Sequence, residues 1–171
     1  MLELVKLDES HTDFVLDLNN DEVFKKSFPR TSPITKEGHL SFLKKLNTTN
    51  DLYYIIKYDN KDIGTVSIYD ITETVAEWGR FIIINEYKQL ALPVSKMILN
   101  IAFNKLNLAM LYCNCLSTNP NVIKFNKLLG FTEENIIKNK YIIDEVNVDM
   151  HYLTLYKGKY NGKDRITKNC L

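Results

Sequence analysis

The run VAEWGRFIII at residues 75–84 is too apolar for a strand with one wet face, so it belongs in the middle of a sheet. A central strand needs a neighbour on each edge, and the flanking sequence supplies both. Upstream, LYYIIKY at 52–58 and a second run at 62–71 are rich in β-branched and aromatic residues. Asp59-Asn60 with Lys61-Asp62 makes a polar hairpin turn between them, and Gly64 marks a bulge or a close backbone approach. Downstream, Val94, Met97, Ile98 and Ile101 recur at i, i+3, i+4 and i+7, which predicts a helix over 93–106 with one buried stripe. Pro93 suits its first position, and a strand follows at 109–116 (AMLYCNCL). A strand, a helix and a strand in succession make a parallel crossover, whereas the upstream hairpin is antiparallel. The sheet is therefore mixed.

The remaining elements complete it. Residues 2–7 (LELVKL) alternate as a strand, and Ser10 with Asp13 resembles a capping box opening a helix that carries Phe14, Val15 and Leu18. Two prolines between 27 and 33 predict a loop, after which Thr35 caps a helix bearing Leu40, Leu43 and Leu46. Asn119 caps a further helix with Pro120 in its first turn, and Gly130 ends it at the C′ position. Strands at 131–140 and 146–157 close the order β-α-α-β-β-β-α-β-α-β-β. The expected fold class is α/β (α+β): a mixed, mostly antiparallel twisted sheet of about seven strands flanked by four helices. With 171 residues the chain suits one domain at 1–157, followed by a basic tail at 158–171.

Composition removes several classes of function. The 22 basic and 21 acidic residues give a net charge of +1, and a nucleic-acid binder gathers a basic excess on one face. Only the tail gathers one, with Lys157, Lys159, Lys163, Arg165 and Lys168 against Asp164, and it reads as a solvated terminus. No apolar run approaches membrane-spanning length and the start carries no signal-peptide pattern, so the expectation is a cytoplasmic protein with no membrane and no nucleic-acid partner. Three cysteines cannot all pair within the chain and fit reduced thiols. Cys113 and Cys115, two apart on a strand, share a face, but no second Cys/His pair stands at zinc spacing, so they read as buried structural thiols and no metal is expected. There is no Ser-His-Asp order, Walker loop or dinucleotide fingerprint. Tyr53, Tyr54 and Tyr69 either line an acceptor pocket or pack across strands.

Three segments carry a resemblance. Ala76-Glu77-Trp78-Gly79-Arg80-Phe81-Ile82 leading to Glu86-Tyr87-Lys88 is similar to the fourth strand, and the approach to the phosphate loop, of the GCN5-related N-acetyltransferases (GNAT). The helix ending IAFNKLNL at 101–108 continues it, and NPNVIKFNKLLGF at 119–131 matches most positions of the family's N-x-x-A/S-I-K/R-L-Y-x-K-x-G-F box. Glu37, His39-Leu40 and Phe42-Leu43, within HLSFLKKL and its surroundings, resemble the branch acting on ribosomal-protein N-termini and on nucleotide-linked amino sugars. The resemblance implies acetyl-CoA as co-substrate and a small-molecule primary amine as acceptor: an amino sugar on a nucleotide, or a protein N-terminus or polyamine. It implies that backbone groups of Phe81, Ile82 and Ile83 pair with the pantetheine arm. The turn Lys88, Gln89, Leu90, Ala91, Leu92, Pro93 and Val94 would then hold the pyrophosphate, and Asn119 would touch the cofactor or act as a plain N-cap. Glu77 is the expected base, its alternative being a strand glutamate paired with Arg80 or a lysine. His151 is the second candidate base or a structural histidine. Arg30 and Arg80 are candidates for holding an anionic acceptor.

Two departures from the family pattern stand out. Both glycines of the phosphate loop are replaced, and Pro93 removes an N–H donor, which weakens CoA affinity unless Lys88, Ser95 or Lys96 compensates. At Asn126 relatives carry a tyrosine that protonates the departing thiolate, and an amide delivers no proton near neutral pH. Two readings follow: a working N-acetyltransferase, or a degenerate scaffold that binds a ligand or partner. Nothing in the chain sets an oligomeric state, and a homodimer, the commonest assembly, stands as the default.

Overall fold

The computed structural model of the protein describes residues 1–25 and 32–160, without the side chain of Lys25. In chain order the elements are β1 (Leu2–Lys6), α1 (Thr12–Asn20), α2 (Glu22–Lys25), α3 (Lys36–Leu46), β2 (Leu52–Tyr58), β3 (Lys61–Tyr69), β4 (Val75–Ile83), α4 (Ala91–Asn100), β5 (Met110–Leu116), α5 (Pro120–Leu128), β6 (Thr132–Ile143) and β7 (Val146–Tyr156). The strands form one sheet in the order β1-β2-β3-β4-β5-β7-β6. Only the β4–β5 pair is parallel, and α4 carries the chain between these two strands. The apolar β4 is the fourth of seven, with a core on each side.

On one face Val66, Ile68, Ala76, Trp78, Leu111, Leu153 and Leu155 pack with Val94 and Ile98 of α4. On the other, Val15 of α1 and Leu43 and Leu46 of α3 cover Ile55. Among the described residues no helix is long and apolar enough to cross a membrane.

Local chemistry accounts for most boundaries. Asp59 and Asn60 take φ of 49° and 65°, the left-handed pair that a two-residue hairpin turn requires. The Thr35 hydroxyl accepts the Gly38 N–H and caps α3. Three expectations need correction. The side-chain cap belongs to Asp8, which opens a 3-10 turn at Glu9–His11 just before α1: its Oδ1 accepts the Ser10 N–H at 2.9 Å, so Ser10 donates where it was expected to accept. Pro93 is the third residue of α4, which tolerates it because first-turn N–H groups have no partner inside the helix. Finally, α4 runs into a π-turn at Ile101–Lys105, closed by Leu106 N–H on the Ile101 carbonyl. The wide turn rotates the stripe beyond it, so Ala102 and Phe103 are buried there, while Leu99 joins Val94 and Ile98 within α4 itself.

Gly64 is where β3 and β4 come closest: a Cβ there would stand 2.1 Å from the Ile82 carbonyl oxygen. Gly64→Ala is therefore expected to cost about 1–3 kcal/mol through forced separation of the strands. Urea unfolding measures it, and an unchanged midpoint would mean that the strands do not approach in this way.

Candidate active site

Pairing between β4 and β5 covers only Val75↔Met110, Ala76↔Leu111 and Glu77↔Tyr112. Beyond Glu77 the strands part, although β4 continues to Ile83 and β5 to Leu116. The cause is a bulge in β4. Ser67 faces Gly79 and Thr65 faces Ile82, so two steps along β3 match three along β4. Arg80 absorbs the extra length at φ 50°. Hydroxyls of β3 satisfy the displaced carbonyls: Thr65 Oγ1 donates to the Arg80 oxygen and Ser67 Oγ to the Gly79 oxygen, each at 3.0 Å. The bulge bends β4 away from its parallel neighbour and leaves its edge open.

The gap widens into a cleft of about 650 Å³ between β4, β5, α5 and the start of α4, with Val23 and Phe24 of α2 at its mouth. Phe81, Ile82, Ile83, Lys88, Ala91, Asn119, Arg80 and Asn126 line it. Gln89, Leu90, Leu92 and Pro93 lie on the adjoining turn outside the lining, while the Val94 side chain is fully buried in the core, so it offers no contact. Asn119 makes no side-chain cap bond at the start of α5. Arg30 lies outside the described residues.

Strand alternation sorts the remaining side chains by face. Glu77 stands on the face away from α4 and α5, where its Oε1 accepts the Asn114 amide at 3.2 Å. The Tyr69 and Tyr112 hydroxyls flank the same carboxylate. Burial first, and then that neighbouring negative charge, raises both phenols, with Tyr112 pushed up to about 12. Both hydroxyls stay protonated and act as donors. Arg80 lies over the Tyr69 ring, 5.7 Å from its centroid, and Tyr53 packs between Tyr69 and Phe42. Tyr54 belongs to the core on the opposite face.

That opposite face holds Cys113, Cys115 and His151, the last directly across from Cys115 on β7. His151 Nδ1 lies 3.0 Å from Glu133 Oε1, and Lys127 of α5 also bonds that glutamate. The Glu133 carboxyl is held below its ordinary range by the Lys127 hydrogen bond and then by His151. Asn126 is buried, with both ends of its amide engaged: its oxygen accepts the Trp78 indole N–H at 3.1 Å and its nitrogen donates to Cys115 Sγ at 3.4 Å. Among the described residues no group of three or more His, Cys, Asp or Glu gathers as a metal would require.

The splayed parallel pair with an open strand edge is the geometry that admits an acyl-pantetheine arm as an added strand. A model of the acetyltransferase (GNAT) domain matches residues 1–132. The chain belongs to the GNAT family of acetyltransferases, and as such is an acetyl-CoA-dependent N-acetyltransferase. Solved structures agree in fold. The spermidine N-acetyltransferase of Vibrio cholerae, in complex with CoA and spermine, has TM-score 0.85 at 21% identity over 92% of this chain and 96% of that one. A dodecameric structure of that enzyme in an intermediate state has TM-score 0.79 at 23% identity over 93% and 95%. A probable GNAT acetyltransferase from Chromobacterium violaceum has TM-score 0.78 at 18% identity over 92% and 88%. Among curated proteins none matches the chain.

Sequence reasoning missed the Trp78–Asn126–Cys115 network and Tyr112 beside Glu77, whereas Tyr69 was among the candidates. The signal for the bulge was present in Gly79-Arg80, which interrupts the apolar run just before Phe81-Ile82-Ile83. Asn126→Leu is expected to lower stability by about 1–3 kcal/mol, because it leaves the buried Trp78 N–H without an acceptor. Denaturant unfolding checks this, and an unchanged midpoint would remove that hydrogen bond from the account.

Proposed function

We propose that this acetyltransferase acts on a primary amine of a small polycationic alkylamine. The observation that carries the reading is the charge around the tyrosine wall. Glu77, Asp51, Asp70 and Glu134 act on the hydroxyls of Tyr53, Tyr69, Tyr112 and Tyr152, against the guanidinium of Arg80. Carboxylates interleaved with aromatic faces attract alkylammonium groups through Coulomb and cation–π terms, and they repel a diphosphate. The spermidine N-acetyltransferases that share the fold support the same acceptor class.

Acetyl-CoA, when bound, supplies an activated thioester. The open edge of β4 at Phe81, Ile82 and Ile83 would hold the pantetheine arm. Asn119, from the start of α5, would contact the cofactor across the cleft. At the start of α4, the Ala91 N–H is donated to the Lys88 carbonyl and Pro93 has none. Fewer amides therefore face a pyrophosphate than in a glycine loop, and the Lys88 ammonium beside them takes on more of its charge. Glu77 receives the proton that the acceptor amine must shed, directly or through one water, while the Tyr69, Tyr112 and Asn114 donors fix the carboxylate. Arg80 limits how many ammonium groups the wall tolerates.

Release of free CoA thiol with a panel of amines tests the acceptor. Spermidine-like polyamines are expected to exceed a nucleotide-linked amino sugar by at least about a hundredfold in kcat/KM, or about 2.7 kcal/mol. Faster turnover of the amino sugar would overturn the acceptor class. Glu77→Gln is expected to lower kcat most at the acid end of the profile, where the amine is most fully protonated. A uniform loss across pH would remove Glu77 as the base.

A further inference from the structure

We propose that Cys115 is the group that returns a proton to the departing CoA sulfur, with Asn126 as its positioning residue. The proposal rests on the acetyl-transfer reading of the same cleft and fills a gap within it. Amine attack expels a thiolate, and a donor at that point speeds departure by about 10²–10⁴-fold. The residue at the family's tyrosine position here is an amide, which has no proton to give.

The geometry points past Asn126 to its partner. The Trp78 indole can only donate, so the Asn126 oxygen must face it at 3.1 Å. That fixes the orientation of the amide and aims its N–H at Cys115 Sγ, 3.4 Å away. A second partner, Cys113 Sγ, lies 4.0 Å from Cys115. An N–H held against a sulfur favours its thiolate, which makes the S–H a readier acid. Accordingly the Cys115 thiol is drawn below its ordinary range, by the Cys113 contact first and by Asn126 against the effect of burial. The Cys113 thiol is pushed up by the same contact and by burial.

Position supports the role. The last β4–β5 pair is Glu77↔Tyr112, so Cys113 is the first β5 residue beyond the fork, and Cys113, Cys115 and Asn126, all nearly buried, form part of the cleft wall. Glu77 stands on one face of the sheet and the thiols on the other. A base on the acceptor side and an acid on the α5 side thus bracket the fork where the thioester must lie. The titratable groups around Cys115 are Cys113 on its own strand, Glu77 on β4 and His151 directly opposite on β7, with Glu133 of β6 and Lys127 of α5 behind the imidazole.

The step balances. As the C–S bond breaks, its electron pair stays on the leaving sulfur, the Cys115 S–H bond opens, and the proton forms the new S–H. Cys115 remains as a thiolate held by the Asn126 N–H, and takes a proton from solvent before the next turnover.

Two measurements test this. In the ligand-free protein, alkylation by iodoacetamide, followed by mass spectrometry across pH, is expected to label Cys115 before Cys113, with a midpoint below that of an ordinary thiol. CoA should protect the site, and Asn126→Leu should slow Cys115 labelling about tenfold at neutral pH. In turnover, Cys115→Ala and Cys115→Ser should both lower kcat by at least about a hundredfold, with CoA affinity by calorimetry unchanged within about threefold. Either variant within threefold of the parent kcat overturns the proposal. So does preferential labelling of Cys113, or an acetyl group on Cys115 that turns over with the reaction, which would make it a nucleophile. If no amine supports turnover, the acetyl-transfer reading fails by itself, while the labelling order still reports whether Asn126 tunes this thiol.

Discussion

Everything at the site depends on the parting of β4 and β5 after a single short stretch of parallel pairing. A buried strand edge with unpaired amides is unfavourable unless something else bonds to it. The protein holds the edge open with a bulge at Gly79-Arg80, whose displaced carbonyls are satisfied from the other side by Thr65 and Ser67. The strain of Arg80 in a left-handed conformation is stored where the open edge begins. Gly64 contributes from β3, since only a residue without a side chain lets that strand follow the bent β4 at Ile82.

The fork also organises the chemistry by face. Because side chains alternate along β4 and β5, Glu77 and Asn114 fall on the side of the tyrosines and acidic residues, while Trp78, Cys113 and Cys115 fall on the side of α5. Sequential residues in two strands thereby present a carboxylate and a thiol pair to opposite sides of one gap. The Asn126 amide ties α5 to β4 and β5 at once, through Trp78 and Cys115, so the same hydrogen bonds that fix the helix also define the cleft wall. Structure and chemistry share these contacts.

The fold was largely legible because its signals are local. Apolar runs, the Asp59-Asn60 turn, Thr35 and the helical stripes each report on a few neighbouring residues. Less was legible where the determining contact is remote. The β6–β7 turn at Asp144 and Glu145, with φ of 49° and 63°, has no glycine or asparagine to announce it, so strand β6 runs three residues further than the expected end at 140. The role of Asn126 depends on an indole 48 positions away and on a cysteine 11 positions away, which no spacing rule connects. The cysteines are buried, as read from the sequence, but their place beside the cleft, where β5 has just left β4, was not legible. Glu77 was singled out through resemblance, but the donors around it come from β3 and β5, each paired with β4 in a register that only the folded sheet reveals.

Backbone hydrogen exchange of the protein with and without saturating CoA probes the open edge most directly. If the edge of β4 takes up the pantetheine arm, peptides spanning 78–84 and 88–94 will exchange more slowly with CoA, while the β1–β2 region stays unchanged. Saturable CoA binding with no slowing in 78–84 would contradict the account.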